Sequence, residues 1–194
     1  MLSEQDQRQL DSEKRAFRDW WAGDRARPFV LQRRENYGVC RILFPNWWAD
    51  VAFNLRFALM YLIGKLPWSA LKVWLYRRMG VRIGRGVYIA PGVFIDAFYP
   101  QLIELDDGSF LGIGCRILAH EYTATFFRAG PVRVGKGSVV GAWSIIRCGV
   151  TLGQAVTTGL GSVVVRDVGD GLTVGGVPAR PLVAGEDLAS FSSP

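Results

Sequence analysis

Hydrophobic residues return every six positions through the second half of the chain. From Val134 the count lands on Val140, Ile146, Leu152, Thr158 and Val164; earlier it runs through Ile83, Ile89 and Ile95, and again through Leu105, Leu111 and Ile117. Six is too short for a helical repeat and three times the alternation of a strand. It is the period of a hexapeptide β-helix, in which each unit forms one flat side of a three-sided coil. Within the hexads the second position favours Gly or another small residue (Gly84, Ala90, Gly112, Gly135, Gly141, Gly153, Gly159). The fifth is small or β-branched (Val87, Val93, Ser109, Cys115, Ser138, Ser144, Val150, Val156, Ser162), as the interior of a narrow prism requires. At three hexads per turn the pattern predicts about four coils.

The register breaks twice. Ile95 to Leu105 spans ten residues where six are expected, and Ile117 to Val134 spans seventeen where twelve or eighteen would keep step. With the faces numbered in order, both breaks leave the coil at the same corner, one turn apart. The longer one, Glu121 to Pro131, begins immediately after His120, the only histidine in the chain. Two loops at one corner beside that histidine mark the place for a binding cleft.

Ahead of the coil the pattern changes to that of helices. Residues 3–22 place Leu10, Phe17, Trp20 and Trp21 roughly on one side. A Pro- and Arg-containing connector, Arg25 to Arg34, follows. Trp47 to Ile63 is apolar but carries Asp50, Asn54 and Arg56, and its longest uncharged run, Phe57 to Gly64, is far short of the roughly 20 apolar residues of a membrane span. Pro67 to Met79 reads as a further helix, opened by Pro67, striped by Trp68, Leu71, Trp74 and Leu75, and stopped by Gly80. The chain therefore divides into a helical N-terminal segment (1–80), a coil (81–183) and a C-terminal tail (184–194).

Charge adds one feature to this picture. The net charge is +6, and between Val51 and Ile95 stand Arg56, Lys65, Lys72, Arg77, Arg78, Arg82 and Arg85 with no Asp or Glu. Residues 47–79 thus admit two readings that share their physical requirements. One is a cap over the open edge of the first coil; the other is a peripheral membrane contact, with aromatic residues at the headgroups and basic ones facing anionic lipid. The composition, 49% hydrophobic and 21% charged, is that of a globular chain. Cys40, Cys115 and Cys148 form neither a CxxC nor a disulfide framework, and Cys115 occupies a small inward hexad position. The polar, mixed-charge N-terminus is unlike a signal peptide, which points to the cytoplasm, with peripheral association at the inner membrane surface under the second reading.

The hexads, the segment Ala119-His120-Glu121-Tyr122 and the closing Gly175-Gly176-Val177-Pro178-Ala179-Arg180 together resemble the hexapeptide-repeat acyltransferases. Tyr99-Pro100-Gln101-Leu102-Ile103-Glu104-Leu105, preceded by a short basic helix, looks most like their exopolysaccharide O-acetyltransferase branch. The resemblance covers about residues 66–183. It implies an all-β core, a left-handed parallel β-helix preceded by an α-helical segment, assembled as a homotrimer. It also implies acetyl-CoA as co-substrate, a hydroxylated saccharide acceptor, no metal and no nucleic acid.

A sugar hydroxyl is a poor nucleophile near neutrality, and an imidazole is the fitting general base for its proton. The resemblance puts His120 in that role, in direct transfer. A carboxylate orienting the imidazole would be Glu121, its neighbour, or Asp96, one coil below; successive residues of an extended strand point to opposite sides, which weighs against Glu121. The oxyanion donor position corresponds to the backbone of Ala142. The coenzyme positions correspond to Gly141, Ala142, Leu160, Val165, Arg166 and Arg180, although Arg166 and Arg180 also read as solvated ends of coils. Val165-Arg166 stands where the family often has Thr-Lys, keeping the charge and losing a hydroxyl. A γ-type carbonic anhydrase needs three histidine ligands and is excluded. A sugar nucleotidyltransferase needs an α/β domain for which the first 80 residues leave no room. The competing classes are an acetyltransferase for a soluble small molecule and a non-catalytic coil scaffold.

Overall fold

The computed structural model describes residues 4–23, 25–32, 47–123 and 126–182. Three parallel sheets are visited in strict rotation by the hexads. The first holds Arg82–Ile83, Ile103–Leu105, Val132–Val134 and Thr151–Leu152; the third holds Phe94–Ile95, Arg116–Ile117, Ile145–Ile146 and Val163–Val164. The second stacks Tyr88–Ile89, Phe110–Leu111, Val139–Val140, Thr157–Thr158 and Thr173–Gly176, and ends in the antiparallel strand Ala179–Pro181.

The register explains the sixfold beat. Ile83, Leu105, Val134 and Leu152 lie in one column, and Ile95, Ile117, Ile146 and Val164 in another. The column of the second sheet runs through Ile89, Leu111, Val140, Thr158 and Val174. Almost all of these side chains are fully buried, as are the fifth-position residues Ser109, Cys115, Ser138, Ser144 and Ser162 between them. Two inward residues per side fill the prism, and the remaining positions face out.

Glycine at the second hexad position answers to the spacing of the turns. A Cβ on Gly135 would lie 2.2 Å from the Gly153 carbonyl oxygen, and one on Gly141 would lie 2.5 Å from that of Thr158. Corner residues with positive φ are mostly glycine, but Trp143 (φ 62°) and Ala155 (φ 52°) take the same conformation.

Among the described residues the helical N-terminal segment holds α1 (Glu4–Ala22), α2 (Trp47–Lys65) and α3 (Ser69–Arg78). Both α2 and α3 pack on the first turn of the coil. The Gly92 N–H donates to the Gly64 carbonyl at 2.7 Å, the Ile89 N–H to Ser69 Oγ at 2.9 Å, and the Arg77 guanidinium to the carbonyls of Ile83 and Gly84. These bonds occupy backbone groups at the coil's open edge.

The segment expected to be a connector is partly a strand. Phe29–Gln32 pairs antiparallel with Phe126–Ala129, which pairs antiparallel with His120–Tyr122. The long register break is therefore a hairpin whose outer edge is closed by a strand from the N-terminal segment. Its pairing partner lies about a hundred residues on, and local pattern carries no sign of it. Cys40 and the expected tail 184–194 lie outside the described residues.

Candidate active site

The third sheet delivers both breaks to one corner, since Ile95 and Ile117 are register partners. After Ile117 the Leu118 N–H still donates to Ile146, holding the chain to the coil. The chain then departs: Ala119 accepts from Gly130 at 2.9 Å, and His120 stands at the root of the hairpin opposite Ala129. One turn below, the Asp96 N–H donates to Ile117 at 3.0 Å, which sets its carboxylate under the histidine.

Asp96 is 1% exposed, and four donors converge on it. Oδ1 accepts from the Phe98 N–H at 2.8 Å. Oδ2 accepts from the N–H groups of Ala119 at 2.8 Å and His120 at 3.1 Å, and from His120 Nδ1 at 2.5 Å. A carboxylate offers only acceptors, so Nδ1 must carry a hydrogen, and in the neutral ring the lone pair is then at Nε2. One buried side chain thus fixes the strand position, the ring orientation and the tautomer.

Glu121 turns to the other side of the strand, as alternation requires. Both its oxygens receive the Arg147 guanidinium, through Nε at 2.5 Å and through Nη2, and Arg128 Nη1 lies 3.6 Å away. Arg147 holds the Glu121 carboxyl below the usual carboxylate range, burial opposing and Arg128 assisting. Of the two candidate carboxylates, the structure brings Asp96 to the imidazole and joins Glu121 to the next turn of the coil.

Aromatic side chains wall the imidazole. Ring centroids of Phe98, Tyr99 and Phe127 lie 4.4, 5.8 and 6.5 Å from that of His120. Behind them Phe17 and Trp21 of α1 pack on Tyr99, Phe17 also touches Phe29 and Phe127, and Phe53 of α2 lies 4.2 Å from Phe98. Burial, with Asp96 nearby, pushes the Tyr99 phenol up. The sequence placed Phe17 and Trp21 on a helix stripe and Tyr99 in a family-like segment, but assigned none of these aromatics, nor Arg147, to the site. The available signal was that Phe98-Tyr99 and Phe126-Phe127 interrupt the hexads with paired aromatics.

The expected coenzyme positions fall on two edges of the prism. Gly141, Ala142 and Leu160 line the edge between the second and third sheets, and Arg180 joins them through its pairing with Gly175. Leu160 is 80% exposed there. Val165 and Arg166 lie on the next edge, the one that carries His120. The Ala142 N–H makes no hydrogen bond with another described residue, while its carbonyl accepts from Gly161 at 2.8 Å. A Cβ on Gly112 would lie 2.6 Å from the Ala142 nitrogen, so a glycine there keeps that N–H open. Within one chain, His120 and Ala142 therefore stand on different edges, with the third sheet between them.

Two other chemistries find no support. Burial pushes both the Cys115 and Cys148 thiols up to about 12, far from a nucleophilic thiolate. Among the described residues no group of three His, Cys, Asp or Glu side chains is placed to hold a metal.

No family model matches the chain. The Bacillus subtilis protein YvoF, named as an acetyltransferase, is 33% identical over 123 residues, 63% of this chain and 72% of its own length. A Staphylococcus aureus protein of the same description is 36% identical over 106 residues, 54% of this chain and 66% of its own. Among solved structures, the hexapeptide-repeat acetyltransferase VCA0836 of Vibrio cholerae shares the fold at a TM-score of 0.58 and 20% identity, covering 71% of this chain and 93% of that one. The same Vibrio protein has been solved in complex with acetyl-CoA.

Proposed function

The chain belongs to the hexapeptide-repeat acetyltransferases, and from that premise we propose that it moves an acetyl group from acetyl-CoA to a saccharide hydroxyl, in exopolysaccharide or cell-surface glycan synthesis. The observation that carries the reading is the Asp96–His120 pair, a histidine held in one orientation by a buried carboxylate at the root of the hairpin.

His120 Nε2 takes the acceptor hydroxyl proton as the oxygen attacks the thioester carbonyl. Asp96 holds the imidazolium that forms, at the 2.5 Å Nδ1 contact. The carbonyl oxygen gains negative charge, for which the unengaged Ala142 N–H is the donor. Collapse breaks the C–S bond, and the thiolate leaves with the proton that His120 carried. No acyl-enzyme is required, which suits a chain whose buried described thiols are protonated. Glu121 acts as the brace of the hairpin through Arg147.

Because His120 and Ala142 occupy different edges, the reading assembles them from neighbouring copies in a homotrimer of left-handed coils, each of about four turns. The coenzyme arm then runs along Gly141, Ala142 and Leu160, with Val165 beside it and Arg166 and Arg180 as cations for its phosphates. The test is acetyl-ester formation on a panel of saccharides, followed with thiol release. Release that requires both a saccharide and His120 supports the proposal; transfer only to amines would refute the hydroxyl acceptor.

A further inference from the structure

The outer side of α2 is apolar and faces solvent. Trp48, Val51, Leu55, Leu59 and Leu62 follow one another at intervals of three and four, one stripe of a helix, and all are exposed. Leu55 is 68% and Leu62 61% exposed, while Met60 and Ile63 on the inner side are 2% exposed against the coil. α3 and the turn before it add Trp68, Leu71 and Trp74. A helix apolar on every side belongs in a buried setting, and few soluble chains leave so continuous a stripe open.

The charges around this stripe select the occupant. Lys65 lies 5.1 Å over the Tyr61 ring and Arg78 4.9 Å over the Trp74 ring, both cations exposed at the border of the apolar surface. The one acid on α2 and α3 is Asp50, which is engaged by Asn54 Nδ2 at 3.0 Å. Against a second copy of itself this face would oppose like charges. Against anionic lipid it offers apolar bulk, Trp and Tyr for the headgroup region, and cations at headgroup level. No helix of the described residues is long and apolar enough to cross a membrane.

We propose that the outer face of α2 and α3 docks this chain on an anionic lipid surface, with Leu55, Leu59, Leu62 and Trp68 inserted among acyl chains and Lys65 and Arg78 on the headgroups. The docked helix is close to the chemistry, since Phe53 touches Phe98 and Phe98 touches His120. An acceptor presented at the lipid surface follows, a consequence that rests on the acetyl transfer proposed above.

The test is co-sedimentation of the full chain with vesicles of phosphatidylglycerol and phosphatidylcholine in equal parts, and with phosphatidylcholine alone. The chain should bind the anionic vesicles more tightly, and salt should weaken the binding. The double variant Leu55→Asp/Leu62→Asp should bind at least about tenfold more weakly, and Lys65→Glu/Arg78→Glu should lose the preference for anionic lipid. Both pairs are exposed, and unchanged circular dichroism and melting temperature establish that each variant is folded. Failure of the parent to bind either vesicle, or equal binding by Leu55→Asp/Leu62→Asp, overturns the proposal. So does a finding that this variant only reduces the size of the assembly in solution, which would make the face a contact between copies. Thiol release with a soluble saccharide separates the two claims: vesicle binding without any turnover leaves the docking standing and removes the acceptor assignment.

Discussion

Replacing Asp96 by Asn isolates what the buried carboxylate does. An amide presents one oxygen and one NH2 where the carboxylate presents two oxygens. If the NH2 faced the Oδ2 side, it would oppose three donors: the Ala119 and His120 N–H groups and the imidazole Nδ1. Turned the other way, it opposes only the Phe98 N–H. The second orientation is preferred, leaving one buried donor unpaired at a cost of about 1–3 kcal/mol, or a melting temperature lower by about 2–12 °C.

The imidazole keeps an acceptor in that state but loses the anion that supports its charged form. General acid–base contributions of about 10²–10⁴ set the expected loss in kcat, about 3–5 kcal/mol of transition-state stabilisation. The KM for acetyl-CoA should hold, because the hydrogen bonds of Asp96 go to Phe98, Ala119 and His120 and to none of the expected coenzyme positions. Steady-state thiol release, with melting curves on the same preparations, reads both quantities. Asp96→Asn within about threefold of the parent in kcat, beside an inactive His120→Ala, would refute the orienting role.

Other outcomes follow from single contacts. Glu121→Gln removes an ion pair whose folded pKa lies below the ordinary 4.5, so its contribution is full above that value and fades as pH falls below it; the parent's advantage in urea stability should shrink in acid. Lys72 is fully buried, its Nζ has no hydrogen-bond partner among the described residues, and burial lowers its pKa from 10.5. The unfolded chain therefore binds more protons below that value and stability should rise with pH towards it, an effect Lys72→Met abolishes while adding about 1–3 kcal/mol at neutrality. Gly135→Ala drives a Cβ to 2.2 Å from the Gly153 oxygen and should cost about 1–3 kcal/mol in denaturant unfolding. Arg166→Ala and Arg180→Ala should raise the KM for acetyl-CoA with little change in kcat, as read by initial rates.

Much of the coil was legible because its physics is local and periodic. A prism one side chain wide demands the same residue size at the same step, so Val134, Val140 and Ile146 announce their three sheets in order. The shared corner of the two breaks followed from counting alone and reappears as the Ile95–Ile117 register pair. The strand Phe29–Gln32 was not legible, because its four residues carry no period and its partner, Phe126–Ala129, lies far along the chain. The choice between Asp96 and Glu121 stayed open in the sequence for a related reason. Strand alternation disfavoured Glu121, but only the stacking of turns brings Asp96 to Nδ1 from one side and presents Arg147 to Glu121 from the next turn. The aromatic wall of Phe17, Trp21, Phe98, Tyr99 and Phe127 combines three distant segments, each of which reads locally as ordinary hydrophobic residues.

The central claim is general-base transfer from acetyl-CoA at His120. Its direct test is thiol release from acetyl-CoA, with and without a saccharide acceptor, by the parent and by His120→Ala, with the acetylated product identified by mass. The account predicts acceptor-dependent release that falls by about 10²–10⁴ in the variant, with melting temperature and KM for acetyl-CoA little changed. Release by His120→Ala equal to that of the parent would contradict it.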